Sequence, residues 1–248
     1  PNGTKTYQKI IMIFTLGKYS CPAGTQYCAD WDYTVQNFLM TKTGDTVELG
    51  RLITPYANTS YARFPMTWKQ RYTYDVTDLY SLLKDSATIR IHYSGYSGGF
   101  TANITFAFIE GTPPRNVLGI TKLWNKSVPF GNANNPITST IAPVTVTPPA
   151  GTVSSAMKFI ISGHGSDANG CSEFCSKYYD VMVDGNSVAH KDIWRANCGL
   201  NHLYPQSGTW IYDRGNWCPG DKVFETYFPL TGLSAGIAKP VDVEFENY

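Results

Sequence analysis

The stretch Asn103-Ile-Thr-Phe-Ala-Phe-Ile-Glu110 runs directly into Gly111-Thr-Pro-Pro114. A run of β-branched and aromatic residues is typical of a strand, and the glycine and prolines that follow it indicate a turn and a break. Runs of the same kind, bounded by Gly, Pro, Asn or Asp, recur along the chain, whereas helical periodicity is almost absent. The sequence therefore predicts an all-β protein.

The break at Gly111-Thr-Pro-Pro114 follows one complete set of predicted strands, so we place a domain boundary there, giving domains 1–113 and 114–248. Alternate residues of so many strands need two packed sheets to cover them, which favours a sandwich or jelly roll. A short helix is predicted at 77–83 and a helical turn around the Cys171–Cys175 pair. The predicted strands are 9–15, 33–41, 47–53, 71–75, 88–93, 103–110, 117–123, 156–162, 178–183, 222–228 and 240–245.

The composition excludes several classes of protein. Of the 248 residues, 42% are hydrophobic and 16% are charged, which is a globular balance and excludes disorder and coiled coils. Twenty Lys and Arg against nineteen Asp and Glu leave a formal charge of +1 without a basic stripe, so we expect no nucleic-acid partner. The longest apolar stretch, 10–16, is too short to cross a bilayer, and the first residues do not resemble a signal peptide. We therefore expect a mature, soluble product or a trimmed chain, with no membrane association.

The six cysteines form three close sets, Cys21 with Cys28, Cys171 with Cys175, and Cys198 with Cys218. An even count with local spacing favours three sequential disulfides formed in an oxidising compartment, and hence a secreted or periplasmic protein. The alternative is a zinc site, but C-x6-C, C-x3-C and C-x19-C match no usual ligand spacing, and the four His are scattered.

The first candidate site follows a predicted cystine loop, in Cys28-Ala-Asp30-Trp31-Asp32. If Asp30 and Asp32 began a strand, its period of two would point both carboxylates the same way and Trp31 toward the core. They could then form a paired-carboxylate site. The alternative is that both are turn residues, which aspartate favours because its side chain bonds nearby backbone.

The second and third candidates are Cys171-Ser-Glu173-Phe174-Cys175 and Asp213-Arg214-Gly-Asn-Trp217-Cys218. A carboxylate inside its own cystine loop has little rotamer freedom, which suits Glu173 to catalysis, although a solvated loop glutamate has the same spacing. Arg214 could hold a substrate oxygen or orient a carboxylate, or it could form an ion pair with Asp213 or another acid.

Other schemes fit less well. The sequence has no G-x-S-x-G, Walker, GxGxxG or HExxH motif, and the dispersed His make a copper monooxygenase improbable. His164, in Ser-Gly-His-Gly, is the most suggestive histidine, and Tyr96 lies in a glycine-rich turning loop. Aromatic residues make up 14% of the chain, which suits carbohydrate recognition as well as ordinary strands.

Taken together, these motifs resemble the peptide-N-glycosidase F family, and they cover nearly the whole chain in the same order. The segments that carry the resemblance are Cys28-x2-Trp31-Asp32, Arg51-Leu-Ile-Thr-Pro-Tyr56, Asp75-Val-Thr-Asp78, Gly111-Thr-Pro113, Ile161-Ser-Gly163, Gly170-Cys-x-Glu-x-Cys175 and Asp213-Arg214-x2-Trp217-Cys-Pro-Gly220.

The resemblance implies two adjacent jelly-roll domains with the active site in the cleft between them, and the same three disulfides. It implies catalytic roles for Asp32, Glu173 and Arg214, of which Asp32 falls on the family's principal catalytic aspartate and Glu173 on its second essential acid. The residues expected to contact substrate are Asp30, Trp31, Tyr33, Ser94, Tyr96, His164, Phe174 and Trp217.

The chain departs from the family pattern at three places. Ser94 stands where the family has a third acid, and Tyr33 stands where an arginine follows the catalytic aspartate. The chain starts and stops within the family's pattern, so we expect outer strands to be missing or supplied elsewhere. The implied function is hydrolysis of the amide between an asparagine side chain and the first N-acetylglucosamine of an N-glycan, which leaves aspartate in the peptide. The expected partners are N-glycosylated peptides or glycoproteins, with no cofactor or metal and a monomeric enzyme. The alternative is a non-catalytic glycan-binding relative of the same fold.

Overall fold

The computed structural model describes residues 4–58, 63–84, 86–129, 132, 134–166 and 171–246. The chain packs into two compact units. Unit 1 comprises Pro1–Val117, Asn197–Tyr212 and Cys218–Val223, and unit 2 comprises Leu118–Ala196, Asp213–Trp217 and Phe224–Tyr248. The segments 197–212 and 218–223 thus belong to unit 1, so the units are not two continuous stretches of sequence. The division after residue 113 stays a prediction.

Strands dominate both units, as the sequence predicted. They are β1 Tyr7–Lys18, β2 Thr34–Met40, β3 Thr46–Ile53, β4 Lys69–Asp75, β5 Thr88–Tyr93, β6 Phe100–Glu110, β7 Val144–Val146, β8 Ala156–Phe159, β9 Lys177–Val183, β10 Asn186–Ile193, β11 Lys222–Val223, β12 Thr226–Pro229 and β13 Lys239–Phe245. The helices are α1 Tyr80–Leu83 and α2 Ile137–Thr140, and 3₁₀ turns occupy Thr77–Leu79, Ser172–Phe174 and Cys198–Leu200. The predicted helix at 77–83 and the turn at Cys171–Cys175 are confirmed.

Unit 1 contains two antiparallel sheets, one with strand order β4-β1-β6 and one with order β11-β3-β2-β5. Alternate residues of β1 are buried because a strand points successive side chains to opposite faces. They meet buried residues of the other sheet in one hydrophobic core, so the two sheets pack as layers. This core includes Ile10, Met12, Phe14, Leu16, Val35, Leu39, Leu49, Leu52, Tyr72 and Tyr74.

Unit 2 contains a four-stranded antiparallel sheet of order β10-β9-β13-β7 and a two-stranded sheet formed by β12 and β8. Strands β9 and β10 are joined by Asp184 and Gly185, whose φ angles of 52° and 76° suit a tight hairpin turn. Residues of both sheets share a second core, which includes Met157, Tyr179, Val181, Val183, Phe228, Val241 and Val243.

Two strand predictions are wrong. Residues 117–123, which the structure describes, form no strand; Leu118 and Ile120 are exposed, and a Cβ on Gly119 would lie 3.0 Å from Pro149. A proline neighbour has no N–H to give to a ladder. The single strand predicted at 222–228 is two short strands, β11 in unit 1 and β12 in unit 2. Strands β7 and β10 were not predicted.

The prediction of an all-β fold is confirmed, and the three predicted disulfides are present, with Cα–Cα distances of 5.9, 5.6 and 5.3 Å. The jelly-roll connectivity of the units stays a prediction. Within the described ranges, no helix is long and apolar enough to cross a membrane.

Candidate active-site residues

The segment that carries the first two acids lies between the Cys21–Cys28 disulfide and β2, not in a strand. Cys28 N donates to Asp30 Oδ2 at 2.5 Å, and Asn58 Nδ2 donates to Asp30 Oδ1. Asp30 therefore ties the cystine loop to the chain that follows β3, as an aspartate in a turn commonly does. This geometry is the turn arrangement that the sequence left open, not the start of a strand.

Lys18 lies at the end of β1 and is buried beneath the same segment. Its Nζ donates to the carbonyl of Ala57. Burial lowers the pKa of Lys18, and the negative charge of Asp30 acts in the opposite direction. Asp30 is therefore partly compensated by a buried cation of unit 1.

Asp32 has a different partner. Tyr56 Oη donates to Asp32 Oδ2 at 2.6 Å, and the same phenol oxygen lies 3.3 Å from Thr209 Oγ1. Asp30 and Asp32 are therefore oriented by separate groups. A carboxylate with a fixed orientation can take or direct the proton of a bound water, which is the property that a general base needs.

Thr54 fixes the backbone on either side of Asp32. Its Oγ1 accepts from Tyr33 N at 2.7 Å and donates to the carbonyl of Trp31 at 2.8 Å. Trp31 itself is 39% exposed, and its ring meets the edge of Tyr27 at a centroid distance of 5.5 Å. The expectation that Trp31 faces the core is wrong, because the residue precedes β2 and does not follow the alternation of a strand.

Tyr33, Ser94 and Tyr96 lie together in unit 1. The buried ring of Tyr33 contacts Tyr96 at 5.4 Å, and its Oη lies 2.9 Å from Ser97 Oγ. Burial raises the pKa of Tyr33. Ser94 Oγ accepts from Thr34 N at 3.0 Å, so it is engaged by the backbone of β2. Tyr96 is 77% exposed and presents an aromatic surface on this loop.

In unit 2, Glu173 lies on the 3₁₀ turn Ser172–Phe174, inside the Cys171–Cys175 disulfide loop. Its Oε1 accepts from Arg214 Nη1 at 3.1 Å, and its Oε2 accepts from Gly165 N at 3.0 Å. Its backbone carbonyl accepts from Gly215 N at 2.8 Å. Glu173 is thus held by both side chain and backbone, as the short cystine loop predicted.

Arg214 is held as tightly as its partner. Its guanidinium lies 5.0 Å from the ring centroid of Phe174 and 4.5 Å from that of Trp217. Its side chain is 0% exposed, and that of Glu173 is 12% exposed. Cation–π contacts and a charge-assisted hydrogen bond are the contacts that make a buried guanidinium tolerable. Arg214 therefore contacts Glu173 and has no exposed side-chain surface. Its catalytic role stays a prediction.

His164 and the Gly163–Gly215 contact support this arrangement. The His164 ring lies 4.4 Å from that of Trp217, and Trp217 Nε1 donates to the carbonyl of Gly163 at 3.4 Å. A Cβ on Gly215 would lie 2.9 Å from the oxygen of Gly163, so a side chain there would separate the two segments. His164 thus packs on Trp217, the same ring that contacts Arg214.

Each unit therefore groups its own predicted residues, and it adds residues that the sequence did not single out as functional. Tyr56 donates to Asp32, Thr209 lies beside the same phenol oxygen, and Gly165 N donates to Glu173. Tyr56 closes one of the motifs quoted above, and that position was the one available signal. In the described part of the chain, no three His, Cys, Asp or Glu side chains are grouped so that they could hold a metal ion.

Known proteins resemble this chain in sequence. The family model described as the C-terminal part of peptide-N-glycosidase F matches residues 132–246. The curated peptide-N(4)-(N-acetyl-β-D-glucosaminyl)asparagine amidase F of Elizabethkingia miricola is 28% identical to this chain, over 98% of this chain and 69% of that protein.

Solved structures agree with the sequence comparisons. PNGase F, a glycosylasparaginase from Flavobacterium meningosepticum, superposes with a TM-score of 0.76 at 25% identity, covering 100% of this chain and 80% of that one. PNGF-II superposes with a TM-score of 0.73 at 17% identity, covering 99% of this chain and 54% of that one, which shows a likeness of fold alone. The chain is therefore similar to peptide-N-glycosidase F in both sequence and fold.

Proposed function

We propose that this chain hydrolyses the amide bond between an asparagine side chain and the first N-acetylglucosamine of an N-linked glycan. The products are the intact glycan as a glycosylamine and a peptide that carries aspartate. One observation carries the proposal: Tyr56 Oη donates a 2.6 Å hydrogen bond to the carboxylate of Asp32, the residue that the resemblance matches to the family's principal catalytic aspartate.

Amide hydrolysis needs an activated water, a stabilised oxyanion and a proton for the leaving nitrogen. In this proposal Asp32 accepts a proton from the attacking water or orients that water at the amide carbon. Glu173 binds the first sugars or assists proton transfer. Arg214 is a positioning residue in this proposal, because its buried guanidinium packs on Phe174 and Trp217 and donates to Glu173.

The proposed reaction uses neither a metal nor an organic cofactor. Its substrates are N-glycosylated peptides or glycoproteins, and exposed Trp31, Phe174 and Tyr96 can pack on the apolar faces of sugars. Three disulfides favour an oxidising compartment, so we propose a secreted or periplasmic protein. A single chain supplies every proposed group, and we expect a monomer by light scattering.

A second candidate function is glycan binding without turnover. It is favoured by Ser94, a hydroxyl at the position of the family's third acid that accepts a backbone hydrogen bond from Thr34. Incubation of a glycopeptide in ¹⁸O-water separates the two functions. Release of the glycan with one ¹⁸O in the new aspartate indicates amidase, whereas retention of the peptide without any change of mass indicates a binding protein.

The substitution Asp32→Asn tests the catalytic assignment. Asparagine keeps an oxygen that can accept from Tyr56 Oη, so the fold is retained, but it cannot take a proton from water. We expect glycan release to fall about a hundredfold or more. Circular dichroism and thermal unfolding should match those of the original chain.

Asp78→Asn is the matched control for the loss of one acid of unit 1. Asp78 forms an exposed ion pair with Arg115 at 2.9 Å, and such pairs contribute little to stability. The control should release glycan at the original rate. An Asp32→Asn protein as active as this control would contradict the assignment.

A further inference from the structure

Tyr56 is a buried tyrosine. Four consecutive residues, far from it in sequence, contact it from its backbone to its hydroxyl. We call residues 206–209 the Tyr56 strap. Gln206 Oε1 accepts from Tyr56 N at 3.0 Å, and Ser207 N donates to the carbonyl of Tyr56 at 3.5 Å. The strap thus begins at the tyrosine backbone.

The far end of the strap reaches the phenol. Gly208 has φ of +63°, and a Cβ built there would lie 3.3 Å from three atoms of the Tyr56 ring. Thr209 Oγ1 lies 3.3 Å from Tyr56 Oη. The strap therefore contacts the tyrosine at its backbone, ring and hydroxyl, and Gly208 permits both the left-handed backbone and the close approach.

The direction of the phenol decides the orientation of Asp32. A hydrogen bond to a carboxylate is charge-assisted and directional, so a donor with a fixed position restricts the rotation of the acceptor. A general base that is already oriented loses less entropy on reaching the transition state than one that must be ordered first.

We propose that Tyr56 is a positioning residue for Asp32 and that the Tyr56 strap fixes its hydroxyl. The proposal rests on the amidase function for its kinetic consequence, although the positioning itself does not depend on turnover. A purely structural role for Tyr56 would predict lost stability without a specific loss of kcat.

The test compares Tyr56→Phe with Tyr72→Phe. Both substitutions remove one hydroxyl from a buried tyrosine of unit 1, but Tyr72 Oη donates to the carbonyl of Gly220 at 2.9 Å and not to Asp32. On a glycopeptide substrate we expect Tyr56→Phe to lower kcat about tenfold to a hundredfold, with KM changed less than about twofold. Tyr72→Phe should leave kcat unchanged at a temperature where both variants are folded.

A third variant tests the strap. Thr209→Val removes the hydroxyl beside Tyr56 Oη but leaves the tyrosine, so its loss of kcat should be smaller than that of Tyr56→Phe. Equal kcat for the original chain and Tyr56→Phe, or equal losses in Tyr56→Phe and Tyr72→Phe, would overturn the proposal.

Crystal structures of the original chain and Tyr56→Phe separate this inference from the amidase function. We expect the Asp32 carboxylate of Tyr56→Phe to rotate or to occupy more than one rotamer. If the original chain releases no glycan, the amidase function fails, and the crystal structures alone decide the positioning. An Asp32 side chain with the same single orientation in both structures would then overturn it.

Discussion

Arg214 carries a permanent positive charge in a place without solvent. An unpaired ion would be strongly disfavoured there, so its neighbours must replace the lost hydration. Glu173 supplies the countercharge, and Phe174 and Trp217 supply two aromatic faces. The ion-pair partner is 41 residues away in sequence, and for that reason the motif that contains Arg214 left Asp213 open as an alternative partner.

The substitution Arg214→Lys tests this environment. Lysine keeps the charge but lacks the planar fork and the stacking surface, so we expect the free energy of unfolding to fall by about 2 kcal/mol. Arg195→Lys is the control in the same unit, because Arg195 stacks on the exposed ring of Phe224 at 4.6 Å. Its loss in urea unfolding should stay below about 1 kcal/mol. Equal losses of unfolding free energy in the two variants would contradict the claim that burial makes Arg214 more important for stability than Arg195.

At the scale of the element, the strands predicted best were those in which apolar residues alternate or cluster between turn residues. Strand β5 was predicted with both ends correct. Strand β10 was missed because its sequence is polar. The Asp184-Gly185 pair that forms the turn between β9 and β10 was a usable signal. The strand predicted at 117–123 was wrong for the opposite reason. Its residues are apolar, but an apolar run forms a strand only where another strand can pair with it.

The three disulfides close loops of different length, which predicts different contributions to stability. Their cysteines are separated by 20, 7 and 4 residues, and a longer closed loop restricts the unfolded chain more. With both cysteines of one pair replaced by alanine, the loss of stability should be largest for Cys198 and Cys218 and smallest for Cys171 and Cys175. The loop-length term alone separates these two by about 1.4 kcal/mol.

Urea unfolding of the three double variants measures that order. The buried sulfurs of Cys198 and Cys218 add a packing loss in the same direction. The Cys198–Cys218 variant should also lose kcat, because its disulfide closes the loop that contains the Tyr56 strap. An order that does not follow loop length would show that local strain or packing dominates.

At the scale of the whole chain, the sequence singled out Asp32 and Glu173 as candidate acids but did not indicate the residues that contact Asp32. Asp32 follows the Cys21–Cys28 disulfide and Glu173 lies inside the Cys171–Cys175 loop, so each lies in a short motif that can be read locally. Tyr56 and Thr209 lie 153 residues apart, yet together they fix the position of the donor to Asp32. Such a contact depends on the return of residues 197–212 to unit 1, and no local pattern encodes that return.

Buried tyrosines in both units should make the fold sensitive to alkali. Burial raises the pKa of Tyr72 and Tyr93 in unit 1 and of Tyr179 in unit 2, whereas the unfolded chain ionises these phenols near pH 10. Their contribution to stability is therefore complete below about pH 10 and is lost as the pH rises toward the folded-state values. The lowered pKa of Lys18 has the opposite effect, but only below the unfolded lysine pKa of about 10.4, so it does not offset the loss at higher pH. We expect the urea midpoint to fall steadily above about pH 10 and to fall less in Tyr179→Phe. Only the part of the tyrosinate absorbance that comes from the buried phenols should appear together with unfolding. A midpoint that stays level to about pH 11.5 would contradict this prediction.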